Sequence, residues 1–247
     1  MTLSPATASL TTLAASVPHL KLVRNPRAKV LRLMVSPATG EAVLTMPPRV
    51  AQSEVLAFWH KHEPWVQRQR AKIAPARPFA VGEVIPLFGQ EVILAHEPTH
   101  RGRGTLTADR LVVGGQPAFF ARRVEDFIKN EAQKRFRDEA QIYANQLEVR
   151  IARLVVKDTQ SRWGSCSSAG QINLSWRLAF APPWVASYVV AHEVAHLVEM
   201  NHSSRFWAQV DKLVGKPTRP RQWLKSFGPS LLRIGVAGVP QEAVFVD

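Results

Sequence analysis

The feature that most constrains this chain is the run PWVASYVVAHEVAHLV, residues 183 to 198. Proline suits the first turn of a helix, and Val185, Tyr188, Val189, Val190, Ala195, Leu197 and Val198 leave the helix apolar on nearly every side. A helix apolar all round is a buried one. A glutamate inside it needs a partner, because a buried, unpaired carboxylate is strongly disfavoured. The fold must therefore enclose this helix and give its two histidines and its glutamate something to do.

His192 and His196 stand four residues apart on one face, about 6 Å along the axis, a gap that two side chains can close over a common ion. Glu193 points about 100° away, which suits a base beside a metal better than a ligand. The pattern is the H-E-x-x-H of zinc peptidases, and one Zn2+ per chain is the expected cofactor. A catalytic zinc takes a third protein ligand and keeps one position open. Glu199 lies on the same face but roughly 10 Å from His192 along the axis, too far for one tetrahedral site. His202 becomes suitable if the chain turns back near Met200 and Asn201. Asparagine tolerates the left-handed conformation, and Ser203 can cap a following helix, so the reading favours His202.

The rest of the chain reads as α+β. Residues 1–24 are expected to be a disordered leader, without the basic and apolar regions of a secretory signal. Residues 25–115 read as a small α/β region. It contains a hairpin over 29–46, a helix opened by Ser53 and broken or kinked at Pro64, and short strands to the GGQP stretch at 114–117, the candidate boundary. A second domain over 118–228 opens with a long amphipathic helix, its stripe carrying Phe120, Val124, Phe127, Ala132, Phe136, Ala140, Tyr143 and Leu147. A strand, the hairpin SRWGSCS–SAGQ–INLSWRL, the histidine-bearing helix and two further helices near 203–214 and 218–226 follow. The tail, 229–247, has no clear pattern.

SRWGSCS and NHSSRFW, with the AHEVAHLVEM helix between them, resemble the YgjP-like metallopeptidase family, relatives of the SprT and WLM zincins. The likeness extends more loosely from about Arg24 to about Pro229. It implies a zincin-like metallopeptidase domain in which a small mixed sheet accompanies the active-site helix. It puts the metal ligands on His192, His196 and His202 and the catalytic acid/base on Glu193. The histidine spacing also matches metzincins, but Glu199 stands where those carry glycine. In zincins an edge strand above the metal helix holds an extended peptide. By resemblance this hairpin is the candidate here, with Trp163, Gly164 and Ser165 facing substrate.

Trp163 and Trp176 otherwise read as packing aromatics, and Cys166 as a small buried side chain rather than a zinc ligand. Arg162 is the candidate donor to the oxyanion of a hydrolysed amide. His19, His60, His62, His96 and His100 lack ligand spacing and read as surface or structural.

The expected activity is zinc-dependent hydrolysis of a peptide or protein substrate, Glu193 acting as general base. Two other readings stay open: a nucleic-acid-associated zinc protein with a structural metal, and a zinc hydrolase of a small non-peptide amide. The 32 Lys and Arg against 19 Asp and Glu, net +13, allow nucleic acid as a partner but are dispersed, without a compact binding motif. No run approaches a membrane span. One cysteine gives no internal disulfide, and the cytoplasm is the expected compartment.

Overall fold

The computed structural model describes residues 10–159 and 161–236, and the chain divides into two compact units, Met1–Ala74 and Pro75–Asp247. In the first unit α1 (Leu10–Ser16) leads into β1 (Leu20–Arg24), β2 (Arg32–Val35), β3 (Ala42–Met46) and α2 (Gln52–Arg70). β2 and β3 form the expected hairpin, antiparallel with Val35 opposite Ala42, and Gly40 takes a positive φ of 74° in its turn. β1 pairs with β3 in parallel, so the hairpin becomes a mixed three-stranded sheet. Residues 10–24 thus carry a helix and a strand where a leader was expected; residues 1–9 lie outside the described residues.

β3 alternates buried and half-buried residues, as a strand with one covered face must. Its Ala42, Leu44 and Met46 share a core with Val55, Trp59 and Val66 of α2. α2 starts after Ala51 with no side-chain cap and runs through Pro64. Ser53 therefore does not open it, and Pro64 does not end it. Proline removes one backbone hydrogen bond, but Trp59 and Val66 on either side are buried in the same core, which anchors the helix on both sides of it.

The second unit contains β4 (Val84–Leu87), β5 (Gln90–His96), β6 (Thr105–Leu106), β7 (Arg110–Val113), α3 (Phe120–Gln146), β8 (Arg153–Lys157), β9 (Gly164–Cys166), β10 (Gln171–Ser175), α4 (Pro183–Ala195), α5 (Ser204–Val214) and α6 (Thr218–Leu231). Two mixed sheets result, ordered β4-β5-β7-β6 and β8-β10-β9. The GGQP stretch is a link within this unit, not a boundary. A sheet must bury one face on another layer, and one continuous core joins Ile85, Leu87 and Leu111 of the first sheet to Ala132 of α3 and Val190 of α4.

α3 makes that join. Its buried positions recur every fourth residue, Phe120, Val124, Ile128, Ala132, Phe136, Ala140 and Ala144. Steps of four overshoot a turn of 3.6 residues by about 40°, so the buried line winds around the helix and meets different partners along its length. Near its start Arg123 Nη1 donates to the Gly114 carbonyl at 3.0 Å. Midway, the Gln133 side chain reaches β8: Nε2 donates to the Leu154 carbonyl at 3.0 Å and Oε1 accepts from the Val156 N–H at 2.8 Å. That amide occupies the outer edge of β8 as a neighbouring strand would.

Beyond α6 the chain turns and Ile234 bridges Arg77. Buried Arg177 donates from Nη1 to the Ile234 carbonyl at 2.7 Å and from Nε to Asp158 Oδ1 at 2.9 Å. The helix expected to stop near 226 therefore continues to Leu231, and of the expected tail only residues from 237 onward lie outside the described residues.

Candidate metal centre

α4 carries His192 and Glu193 in its last turn and has His196 as its C-cap, at φ −65° and ψ −18°. The turn closes when the N–H groups of Val198 and Glu199 both donate to the Ala195 carbonyl, at 3.0 and 3.1 Å. The helix thus ends before Met200. Asn201 does not use the left-handed region: the positive-φ non-glycine residues are His19, Phe88 and Glu148 among the described residues. It turns the chain with its side chain instead, Oδ1 accepting from the Ser203 N–H at 3.0 Å. Ser203 then caps α5 as its sequence suggests, its Oγ accepting from the Phe206 N–H at 3.4 Å.

This helix end, turn and restart bring His202 back beside the α4 histidines. The ring centroids of His192, His196 and His202 are 4.9, 5.0 and 4.8 Å apart, close to an equilateral triangle. One ligand atom from each lies within 4.8 Å of the others, and the Nε2 atoms of His192 and His202 are 3.1 Å apart. Two nitrogens on a tetrahedral zinc at 2.0–2.1 Å are separated by about 3.4 Å. The spacing and the donor set therefore fit one small, borderline-soft cation.

Burial favours the neutral imidazole, the form that can ligate, at His192 and His196. It pushes His192 down to about 3, with His196, His202 and Arg221 adding to the effect. His196 is lowered too, by burial first and against the hydrogen bond to the Glu199 carbonyl. In that bond Nδ1 of His196 donates at 3.1 Å, which fixes the tautomer and frees Nε2 for a metal. His192 Nδ1 is buried and has no hydrogen-bond partner among the described residues. Its ring is held by packing, with Phe206 at 4.8 Å and Tyr188 at 5.8 Å. Phe206, fully buried, is the floor of the cluster, 4.5 Å from His196 and 4.8 Å from His202. Trp207 flanks it, 5.9 Å from His192 and 5.7 Å from His202.

Glu199 stays out of the cluster. Its carbonyl serves His196, and its Oε2 is 2.8 Å from Arg205 Nη2. The other five histidines form no metal-ligating group among the described residues; His62 bonds the Phe58 carbonyl and His96 the Gly115 carbonyl, both at 2.8 Å.

Glu193 is 5% exposed. Burial pushes its carboxyl up to about 8, and the Arg162 charge acts in the opposite sense. The carboxyl lies directly under β9: a Cβ on Gly164 would sit 2.4 Å from Glu193 Oε1. Gly164 is therefore glycine for close approach rather than for an unusual φ. Arg162, exposed on the loop before β9, is fixed through its carbonyl, which accepts from Thr159 Oγ1 at 2.8 Å.

β9 is the outer strand of its sheet. Ser175 N–H donates to the Trp163 carbonyl and Ser167 N–H to the Gln171 carbonyl, at 2.8 and 3.0 Å. In an antiparallel pair alternate residues face the partner, so residues 163, 165 and 167 are spent on β10. The N–H and C=O of Gly164 and Cys166 point to the free edge. Trp163 packs on α6, where a Cβ at Gly228 would approach Cζ2 to 3.0 Å. Ser165 Oγ accepts from Asn173 Nδ2 at 3.3 Å, and Trp176 is fully buried in the core. Cys166 is half-buried, its thiol pushed up to about 11 by burial and by the Glu193 charge. At the other side of His196 a cleft of about 700 Å³ opens between residues 149–152 and 167–170, with Leu197 and Met200 on its wall.

Phe206, Trp207, Tyr188 and Arg221 were not singled out by the sequence. The first two lie within NHSSRFW, three and four residues past the cap, whereas nothing local marks Arg221.

A model of the YgjP-like metallopeptidase domain matches residues 29–227. No curated protein matches the chain. Among solved structures, the crystal structure of the metallopeptidase zymogen of Pyrococcus abyssi abylysin is 22% identical, covering 41% of this chain and 99% of that one, with a TM-score of 0.35. At that TM-score the likeness carries no argument about fold or function.

Proposed function

The chain belongs to the YgjP-like metallopeptidase family, a family of metal-dependent hydrolases, and from that premise we propose that it cleaves peptide bonds with one Zn2+ held by His192, His196 and His202. The observation that carries this reading is the burial of the Glu193 carboxyl beside the three-histidine cluster and beneath the open strand β9. A closed structural zinc has no use for a carboxylate raised toward neutral pH next to it.

When bound, zinc supplies Lewis-acid polarisation of the amide carbonyl and a water whose pKa is near neutral. Glu193 takes the proton of the attacking water and returns it to the leaving amine. Burial raises its proton affinity in the metal-free protein, and a bound cation would act in the opposite sense. Arg162, whose charge acts on Glu193, is the candidate donor to the developing oxyanion. An extended substrate pairs with the outward N–H and C=O of Gly164 and Cys166, adding a strand to the sheet. Ser165 and Trp163 bond inward to β10, and the Trp163 indole forms the wall towards α6. An open edge strand favours a peptide or protein substrate over a small amide.

No described helix is long and apolar enough to cross a membrane; the cytoplasm, as the compartment, rests on the lone cysteine. The test is a quenched-fluorescent peptide library incubated with zinc-loaded protein and with its Glu193→Gln variant. Turnover by the first and none by the second is expected. Equal turnover by both would remove Glu193 from the chemistry.

A further inference from the structure

The wall that α6 presents to the metal centre has a chemistry that metal ligation and hydrolysis do not use. α6 packs against α4 and, through Gly228, against Trp163. It contains Arg219, Arg221 and Lys225 and no acidic residue. Two of its cations are parked on indoles: Arg221 Cζ lies 5.1 Å from the ring centroid of Trp207, and Arg219 Cζ 4.4 Å from that of Trp184. Such stacking orients a guanidinium and leaves its N–H fork free for a carboxylate. Neither arginine belongs to a salt bridge among the described residues.

The location gives this a direction. Trp207, under Arg221, is the same indole that flanks His192 and His202, so Arg221 stands at the rim of the histidine cluster. Trp184, under Arg219, lies at the start of α4 and meets Trp223 edge-on at 6.4 Å, continuing the strip away from the cluster. The nearby acidic groups do not neutralise it: Glu199 is held by Arg205, and Glu193 is buried. Trp163, just before β9, packs on this wall at Gly228, which brings that end of the strand next to it.

We propose that the α6 wall selects polypeptide substrates with an acidic side chain near the scissile bond, received by Arg221 at the histidine cluster and, further along the strip, by Arg219. The proposal rests on the peptidase reading but is separable from it. Acidic residues gain from a pre-oriented guanidinium, and lysine-rich segments are repelled.

The probes are three peptides of one sequence with Glu, Gln or Lys at the positions flanking the cleaved bond. Binding is read on metal-free Glu193→Gln protein through quenching of its tryptophan fluorescence, and hydrolysis on the zinc-loaded wild type. The Glu peptide should bind best, with an affinity that falls as salt is raised. Arg221→Ala should reduce its advantage over the Gln peptide by about two- to fivefold, as for a solvent-accessible ion pair. Arg221→Glu should invert the order and favour the Lys peptide, an outcome that loss of packing alone does not produce. Equal binding of the three peptides by the Glu193→Gln protein with Arg221 intact overturns the proposal. So does an oligothymidylate that binds through the same arginines more tightly than the Glu peptide, which would make the strip a nucleic-acid surface. A preserved charge order in binding with no hydrolysis of any peptide would instead refute the peptidase reading and leave the selectivity standing.

Discussion

Replacing Gly164 by alanine tests the link between β9 and the proposed base with the smallest possible change. The new methyl would lie 2.4 Å from Glu193 Oε1, 2.6 Å from Cγ and 2.7 Å from Cδ, where carbon contacts settle at about 3.5–4.0 Å. Something must move by about 1 Å. The obstructing atoms are the end of a glutamate side chain, so the carboxyl can swing away while the backbone stays. Gly164 has no positive φ, so backbone strain does not enter.

The expected loss of stability is therefore at the lower end of the overpacking range, about 1 kcal/mol. A catalytic group misplaced by about 1 Å loses on the order of 10²-fold in rate. Zinc should stay, because the histidine cluster is untouched. Elemental analysis, thermal unfolding and peptide turnover on the same preparation separate the three effects. Turnover within about threefold of wild type, with metal bound, would refute the claim that β9 and Glu193 are fitted to each other for catalysis.

In the metal-free protein, Glu193 has a folded pKa of about 8 against 4.5, so the folded state binds more protons in that interval and stability falls as pH rises through it. His192, lowered from 6.5 to about 3, acts oppositely over its own interval, so the net fall should appear between about 6.5 and 8; a Glu193→Gln melting series that still shows it would count against the assignment. His202→Ala should weaken zinc binding greatly in a chelator competition. Glu199→Ala should change it less than about tenfold, because the group that orients His196 is the backbone carbonyl; the reverse order would redraw the ligand set. Cys166, with its thiol pushed up to about 11, should react slowly with iodoacetamide at neutral pH and faster as pH rises, and Cys166→Ala should keep its zinc.

The legible parts of this molecule were those whose signal is local. The α4 run, Ser203 as cap and the hairpin around Gly40 each follow from a few adjacent residues. The third histidine was reachable because the distance argument excluded Glu199, although the turn is made by the Asn201 side chain rather than by its backbone. What escaped depends on partners far away in sequence. GGQP looks like a boundary until α3 is seen to cover both sheets, and Pro64 looks like a helix end until Trp59 and Val66 are seen in one core. Arg221 carries no local mark, because its place at the rim of the histidine cluster depends on how α6 crosses α4.

Gln133 gives the small sheet a polarity. With its amide fitted to the Leu154 carbonyl and the Val156 N–H, the outer edge of β8 is obstructed, and β9 is the more open edge for an added strand. The assembly resembles a polymer with one end obstructed: an added strand meets least hindrance at the other end, directly above Glu193. If substrate adds to β9 as proposed, an extended segment with good strand propensity that cannot be cut would compete with it for that end. Competitive inhibition by such strands is then the expected outcome, set by the hydrogen-bond geometry of β9 before any side chain is chosen.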